Sequence, residues 1–358
     1  MWKSLKDRAE GVKEMKRMKT TEAVGQVLCH DITQIIPGVT KDAVFRKGHI
    51  IREEDIPVLL SVGKDSVYIW ENDETMMHEN DAAEVLYRII ANEHMHPSDV
   101  KEGKIEAIAD TEGLLKVDRE KLKKVNAFGE MMIATRHGNT VVKKGDKLAG
   151  TRIIPLVIKK DKMQEAEKIC DGTPILKILP FTVKKAAIIT TGNEVYHGRI
   201  KDAFTPVIEQ KIAEFGAEMM FHEIFDDNDR KITDGCLRAI EAGADIVFCT
   251  GGMSVDPDDK TPLAIKNTGA EMISYGSPVL PGAMFLLSYY RKGDKVIPIC
   301  GLPGCAMYNR RTIFDLVLPR LMAADPVTAD ELASLGEGGL CLNCKVCTFP
   351  NCGFGKGW

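Results

Sequence analysis

Residues 244–262 read ADIVFCTGGMSVDPDDKTP, and the reading of this stretch decides the fold. Its apolar run, Ile246-Val247-Phe248, is rich in β-branched and aromatic residues and reads as a buried strand. The run stops at a glycine pair, passes an acidic loop and re-enters a helix-like pattern at Thr261-Pro262. Strand, glycine loop and helix start together build an anion site. Gly251 and Gly252 can take backbone angles closed to other residues, and the first turn of a helix offers unpaired N–H groups to a phosphate. Asp256, Asp258 and Asp259 follow where carboxylates would hold a hard divalent ion. A glycine pair after a strand also serves tight turning alone, so the neighbouring segments must decide.

Those segments repeat the unit. Upstream, ILPFTVKKAAIITTGNEV reads as a strand running into a glycine loop, and TPVIEQKIAEFGAE as a helix with Ile208, Ile212 and Phe215 on one face and Gly216 at its end. MMFHEIF is a second strand, and DDNDRKITDGCLRAIEAG a second helix that aligns Ile232, Cys236, Ala239 and Ile240. Downstream, MFLLSYY and VIPIC read as strands and residues 306–322 as one long helix. This alternation predicts an α/β domain over residues 176–325, three layers deep around a mostly parallel sheet. In such sheets a ligand lies outside the carboxyl ends of the strands.

Five loops fall at those ends. They are Thr191-Gly192-Asn193-Glu194, Asp226-Asp227, Thr250-Gly251-Gly252-Met253-Ser254, Leu280-Pro281-Gly282 and Leu302-Pro303-Gly304. Each alone reads as a turn, but five on one sheet edge point to a phosphate-bearing ligand. Asp259 also has a structural reading, as an N-cap for TPLAIKN; capping and metal binding are not exclusive.

The 358 residues carry a formal charge of −4 and are 44% hydrophobic and 28% charged, an ordinary globular balance that leaves no basic footprint for nucleic acid. No apolar run approaches membrane length, so a soluble cytoplasmic protein with neither nucleic-acid nor membrane partners is expected. Residues 1–20 read as a charged extension, 21–72 as a small β-rich domain with a turn at Lys47-Gly48, and 73–175 as a helix followed by a mixed β-rich domain. His94 and His96 lie at the expected end of that helix and read as exposed polar residues rather than metal ligands. Residues 326–358 form a separate tail in which Cys341, Cys344, Cys347 and Cys352 follow the spacing C-x2-C-x2-C-x4-C, a soft donor set for Zn2+ or an iron–sulfur cluster. The six other cysteines are scattered and read as reduced thiols.

With TTGNEV, GRIKDAF, IFDDN, TGGMSVDPDDKT and GLPG in this order, residues 181–322 resemble the molybdopterin-binding domain shared by molybdopterin adenylyltransferases and molybdopterin molybdenumtransferases. The earlier β-rich segments and the cysteine tail look like a subgroup of stand-alone molybdopterin-binding proteins. The resemblance implies that the loops above cradle molybdopterin or its adenylylated form, with Gly251, Gly252 and Ser254 at its dithiolene or phosphate side and Asp202 against the pterin. It implies that Asp259 and Asp226 are the catalytic acids, Asp259 holding Mg2+ while molybdate is inserted. Such chemistry needs positioning and charge neutralisation rather than a protein nucleophile. A homo-oligomer is expected, with a molybdenum enzyme as recipient of the cofactor. Two other readings stay open: a non-enzymatic carrier or sensor of the finished cofactor, and an adenylyltransferase. The chain departs from the molybdenumtransferases in carrying Cys305-Ala306 where they have Asn-Pro after the last glycine, and in lacking their PPF and NSAMDGYA stretches.

Overall fold

The structure of the protein is a computed structural model that describes residues 17–36, 40–69, 75–254, 256–257 and 259–357. Most of the charged extension (residues 1–16) and Asp258 therefore lie outside the described residues.

The first β-rich unit is built from two antiparallel pairs, Arg17–Lys19 with Ser66–Tyr68 and Ile32–Ile36 with Thr40–Phe45, and the short helix Ile56–Ser61. Ala23, Leu28, Ile51, Leu59 and Val67 form its small core. A turn closed by the His49 amide on the Arg46 carbonyl (3.0 Å) sits at Lys47-Gly48, and Gly48 takes the φ of +86° that the turn requires.

The second unit places the helix Glu79–Ile90 on an antiparallel sheet of Met95–Pro97, Lys104–Ala109, Lys147–Ile153 and Met131–Thr135. Its buried face, Ala82, Val85, Leu86, Ile89 and Ile90, has the 3–4 spacing of an amphipathic helix. His96 differs from expectation. It lies on the strand Met95–Pro97 rather than at a helix end, because the chain turns extended at Ala91 and pairs with Lys104–Ala109; its Nδ1 is 2.6 Å from Asp110 Oδ1. The strand Leu176–Leu179 also departs from the reading. It pairs with Gly113–Val117 of this unit, and Pro180, which has no N–H to give a ladder, separates it from the strand that follows.

The third unit is the expected α/β domain. Its strands are β1 (Lys185–Thr191), β2 (Glu218–Phe225), β3 (Ile246–Thr250), β4 (Glu271–Tyr275), β5 (Leu286–Lys292) and β6 (Lys295–Leu302), in the order β2-β1-β3-β6-β5-β4. β2, β1, β3 and β6 are mutually parallel, whereas β5 runs antiparallel to both neighbours. Period-2 alternation separates the two faces. Ile246 and Phe248 enter one core with α2 (Phe204–Ala213) and α5 (Ile313–Met322), while Val247 and Cys249 enter the other with α3 (Asp229–Glu241) and α4 (Thr261–Asn267). α1 (Asn193–Tyr196) is a single turn after β1.

The long helix expected at 306–322 is divided. A 3-10 turn, Gly304–Met307, ends where Asn309 Nδ2 donates to the Cys305 carbonyl (3.1 Å). α5 begins afresh at a capping box, in which Thr312 Oγ1 accepts from the Phe314 amide (3.2 Å) and Asp315 Oδ2 from the Thr312 amide (2.8 Å). The tail contains α6 (Ala329–Ser334) and packs back on the domain through Leu332 and Phe354, both within the α2/α5 core.

Candidate functional site

A cleft of about 590 Å3 opens at the carboxyl ends of β3 and β6. One wall is the glycine-acid loop, with Gly251, Gly252, Met253, Ser254 and Asp259; a second is Pro281 and Gly282; a third is Pro303 and Gly304. Thus nine of the residues expected to bind ligand or metal come together. Gly251 has a φ of +83°, and a Cβ on it would stand 2.1 Å from the Thr191 carbonyl oxygen, so only glycine lets the loop lie against β1. Gly282 is constrained in the same way, with a φ of +130° and a Cβ position 2.4 Å from Ile313 Cγ2.

The floor is polar and buried. Thr191 Oγ1 donates to the Thr250 carbonyl (3.0 Å) and lies 3.0 Å from Thr261 Oγ1, bolting the ends of β1, β3 and α4 together. Thr191, Thr250 and Leu302 are buried beneath the cleft and do not line it. Among the described residues, three buried side-chain oxygens have no hydrogen-bond partner, and all three belong to expected site residues: Asp259 Oδ2, Asp226 Oδ1 and Thr250 Oγ1. An unsatisfied buried oxygen costs about 1–3 kcal/mol, so a donor or cation arriving there is stabilising.

The other acids are engaged elsewhere. Asp226 Oδ2 pairs with Lys231 Nζ at 2.8 Å, Asp227 Oδ2 accepts from the Asn193 amide at 3.1 Å, and neither lines the cleft. Gly192, Asn193 and Glu194 also stand outside it. Asp202 accepts from the amides of Phe204 (2.8 Å) and Thr205 (3.2 Å) and from the hydroxyls of Thr205 (2.6 Å) and Thr190 (3.0 Å), which fixes the start of α2. Burial works against its charge, but these bonds from Thr205, Phe204 and Thr190 prevail and hold the carboxyl below the usual range. His222 Nε2 completes this cluster, 3.1 Å from Thr190 Oγ1 and 3.6 Å from Asp202 Oδ2.

The cleft also contains residues that the sequence did not single out. Phe204, Ala283, Met284 and Cys305 line it, and Asp256, one of the three aspartates of the acidic loop, lines it beside Asp259. Burial pushes the Cys305 thiol up, so it stays protonated at neutral pH. Tyr275 lies at the end of edge strand β4, and its hydroxyl donates to the carbonyls of Met253 (3.0 Å) and Ser254 (3.3 Å), tying the glycine-acid loop down. Burial and the charge of Asp259 raise its pKa and keep it a donor. Nothing in the local pattern marks this tyrosine; only the pairing of β4 with β5 brings it to the loop.

Cys341, Cys344, Cys347 and Cys352 surround a second cavity of about 250 Å3. Among the described residues no three His, Cys, Asp or Glu side chains meet closely enough to hold one ion as they stand. None of the described helices is long and apolar enough to cross a membrane.

Residues 187–323 match the family described as a probable molybdopterin binding domain, so this domain is of the molybdenum-cofactor-biosynthesis type that its loops resemble. Residues 17–71 match a family described as a domain of unknown function. Among curated relatives, a putative competence-damage inducible protein of Bacillus cereus strain B4264 is 30% identical over 129 residues, covering 36% of this chain and 30% of its own length. One of the same description from Bacillus velezensis is 32% identical over 85 residues, covering 24% and 20%. The chain thus spans less than a third of the length of these relatives. A solved structure described as the tungsten cofactor synthesizing protein MoaB from Pyrococcus furiosus is 18% identical, covers 40% of this chain and 98% of its own, and superposes with a TM-score of 0.34.

Proposed function

We propose that the cleft binds molybdopterin in its adenylylated form and supports the insertion of molybdate with release of AMP. The observation that carries this reading is Asp259 Oδ2, a buried carboxylate oxygen without a partner on the wall that also carries Gly251 and Gly252. Glycines admit a bulky anionic ligand to the main chain, and the unpartnered carboxylate wants a cation. Magnesium fits this donor set, since it is held by one or two carboxylates together with substrate phosphates and water. It would neutralise phosphate charge as the bond to AMP breaks.

The chain's own residues then position and shield. Gly251 and Gly252 give the ligand access to backbone, Tyr275 holds the loop, and Phe204 and Met284 supply apolar surface for a ring system. Asp226 has an oxygen to spare as well, but its other oxygen neutralises Lys231, which suits it to ordering the neighbouring loop. The protonated Cys305 is a poor nucleophile, in keeping with a reaction that proceeds by positioning and charge neutralisation.

A second reading, a carrier that binds cofactor without turnover, is favoured by Cys305 and Ala306 in the last loop, where molybdenumtransferases carry Asn-Pro. AMP release from adenylylated molybdopterin with molybdate and Mg2+ separates the two. Turnover by the native chain that falls at least 10-fold in Asp259→Asn supports transfer. Tight binding without AMP release in either form supports the carrier, and absence of pterin binding in both removes the reading altogether.

A further inference from the structure

Five of the ten cysteines, Cys29, Cys170, Cys236, Cys249 and Cys300, are buried, and packing accounts for them. The tail cysteines are different. Cys344 and Cys347 are exposed and Cys341 and Cys352 only half-buried, yet all four face one cavity of about 250 Å3. Burial of thiols as small apolar groups does not produce this arrangement.

The size of the void distinguishes between metals. One Zn2+ held by four thiolates lies about 2.3 Å from each sulfur and leaves no space among them. Here the four cysteines line a cavity of about 250 Å3, more space than one ion occupies, and among the described residues no three His, Cys, Asp or Glu side chains are grouped to hold one ion. The remaining wall is largely apolar, with Leu340, Leu342, Phe349 and Phe354, of which Phe354 is buried in the domain core. Arg310 and Arg311 join the same wall and bring positive charge to a site whose thiolates are anionic. Arg311 is held in place by Asp315 at 2.8 Å and by stacking on Phe349, 4.8 Å from its ring centre. The run C-x2-C-x2-C has the spacing of cluster-binding loops, and the fourth cysteine lines the same cavity.

We propose that Cys341, Cys344, Cys347 and Cys352 hold one [4Fe–4S] cluster. Its place in the fold also assigns its effect. The Cys341 amide donates to the Leu280 carbonyl and the Leu280 amide to the Gly339 carbonyl, both at 2.8 Å, so the cluster lies directly behind the Leu280–Gly282 wall of the cleft. Loading fixes the tail and, through these two bonds, that wall.

The test uses the full chain, purified without oxygen and reconstituted with ferrous iron and sulfide, beside a sample offered Zn2+ alone. About four iron and four sulfide per chain are expected. The double variant Cys344→Ser with Cys347→Ser, both exposed positions, should lose them while keeping its circular dichroism, and Cys305→Ser should retain them. Cluster loading should also slow protease cleavage within residues 338–357. The proposal is overturned if iron and sulfide do not bind, if the double variant keeps its full load, or if one Zn2+ per chain binds and excludes iron. None of these readouts involves a pterin, so failure here leaves the reading of the cleft standing.

Discussion

Tyr275 shows how a single hydroxyl can set a loop. Its two bonds to the Met253 and Ser254 carbonyls are the side-chain tether on the glycine-acid loop. Removing a neutral hydrogen bond costs about 0.5–1.5 kcal/mol, so Tyr275→Phe should weaken pterin binding by about 2- to 10-fold and lower the melting temperature by no more than a few degrees. Titration followed by pterin fluorescence measures this; equal affinities would show that the loop holds itself. Asp202 allows a pH test. Its folded pKa lies below the unfolded 3.8, so its contribution to stability is complete above that value and is lost as pH falls through the lower folded one. Urea denaturation across acid pH should show the native chain losing stability over that window and Asp202→Asn losing less. Thr191 and Asp202, both expected at the ligand, hold the frame that carries the cleft, because threonine and aspartate after a strand serve caps and loops equally well.

At the scale of elements, β2, β3, β5, β6 and α2, α3 and α4 were legible because their periods are unbroken, whereas β4 (Glu271–Tyr275) was not read from the sequence. Ile246-Val247-Phe248 can only be a buried strand, and Phe248 packs edge-on against Phe314 with ring centres 5.4 Å apart. Phe248→Ala should therefore cost about 3–5 kcal/mol, read as a lower denaturation midpoint with an unchanged slope. A loss under about 1 kcal/mol would mean that this strand is not the centre of the domain. The division of the 306–322 helix was legible in principle, since Thr312 and Asp315 stand at capping-box spacing; the apolar run behind them concealed it. The strand at Met95–Pro97 was not, because its pairing with Lys104–Ala109 is a tertiary contact that overrides the local pattern.

For the whole molecule, the sequence shows the units but not how they meet. The antiparallel turn of β5 onto β6 rests on the two-residue link Gly293-Asp294, a hairpin signal, with Gly293 at a φ of +60°. The docking of the second unit on the third rests on side chains distant in sequence, such as Lys116 Nζ with Asp325 Oδ2 at 2.7 Å and Arg119 with the Gly357 carbonyl at 3.2 Å. No period or motif marks such pairs in advance. The same holds for the tail, whose cysteines were visible as a donor set while their position behind the cleft was not. The cleft itself was legible in its glycines and prolines, and in Asp259, because close backbone approach admits few residue types.

The central claim is that this cleft takes a pterin bearing phosphate, and equilibrium binding of molybdopterin to the full chain tests it most directly. One saturable site per chain is expected, lost in Ser254→Trp, a substitution at an exposed position that fills the cleft without disturbing the core. Undiminished binding in that variant, or no binding by the native chain, would contradict it.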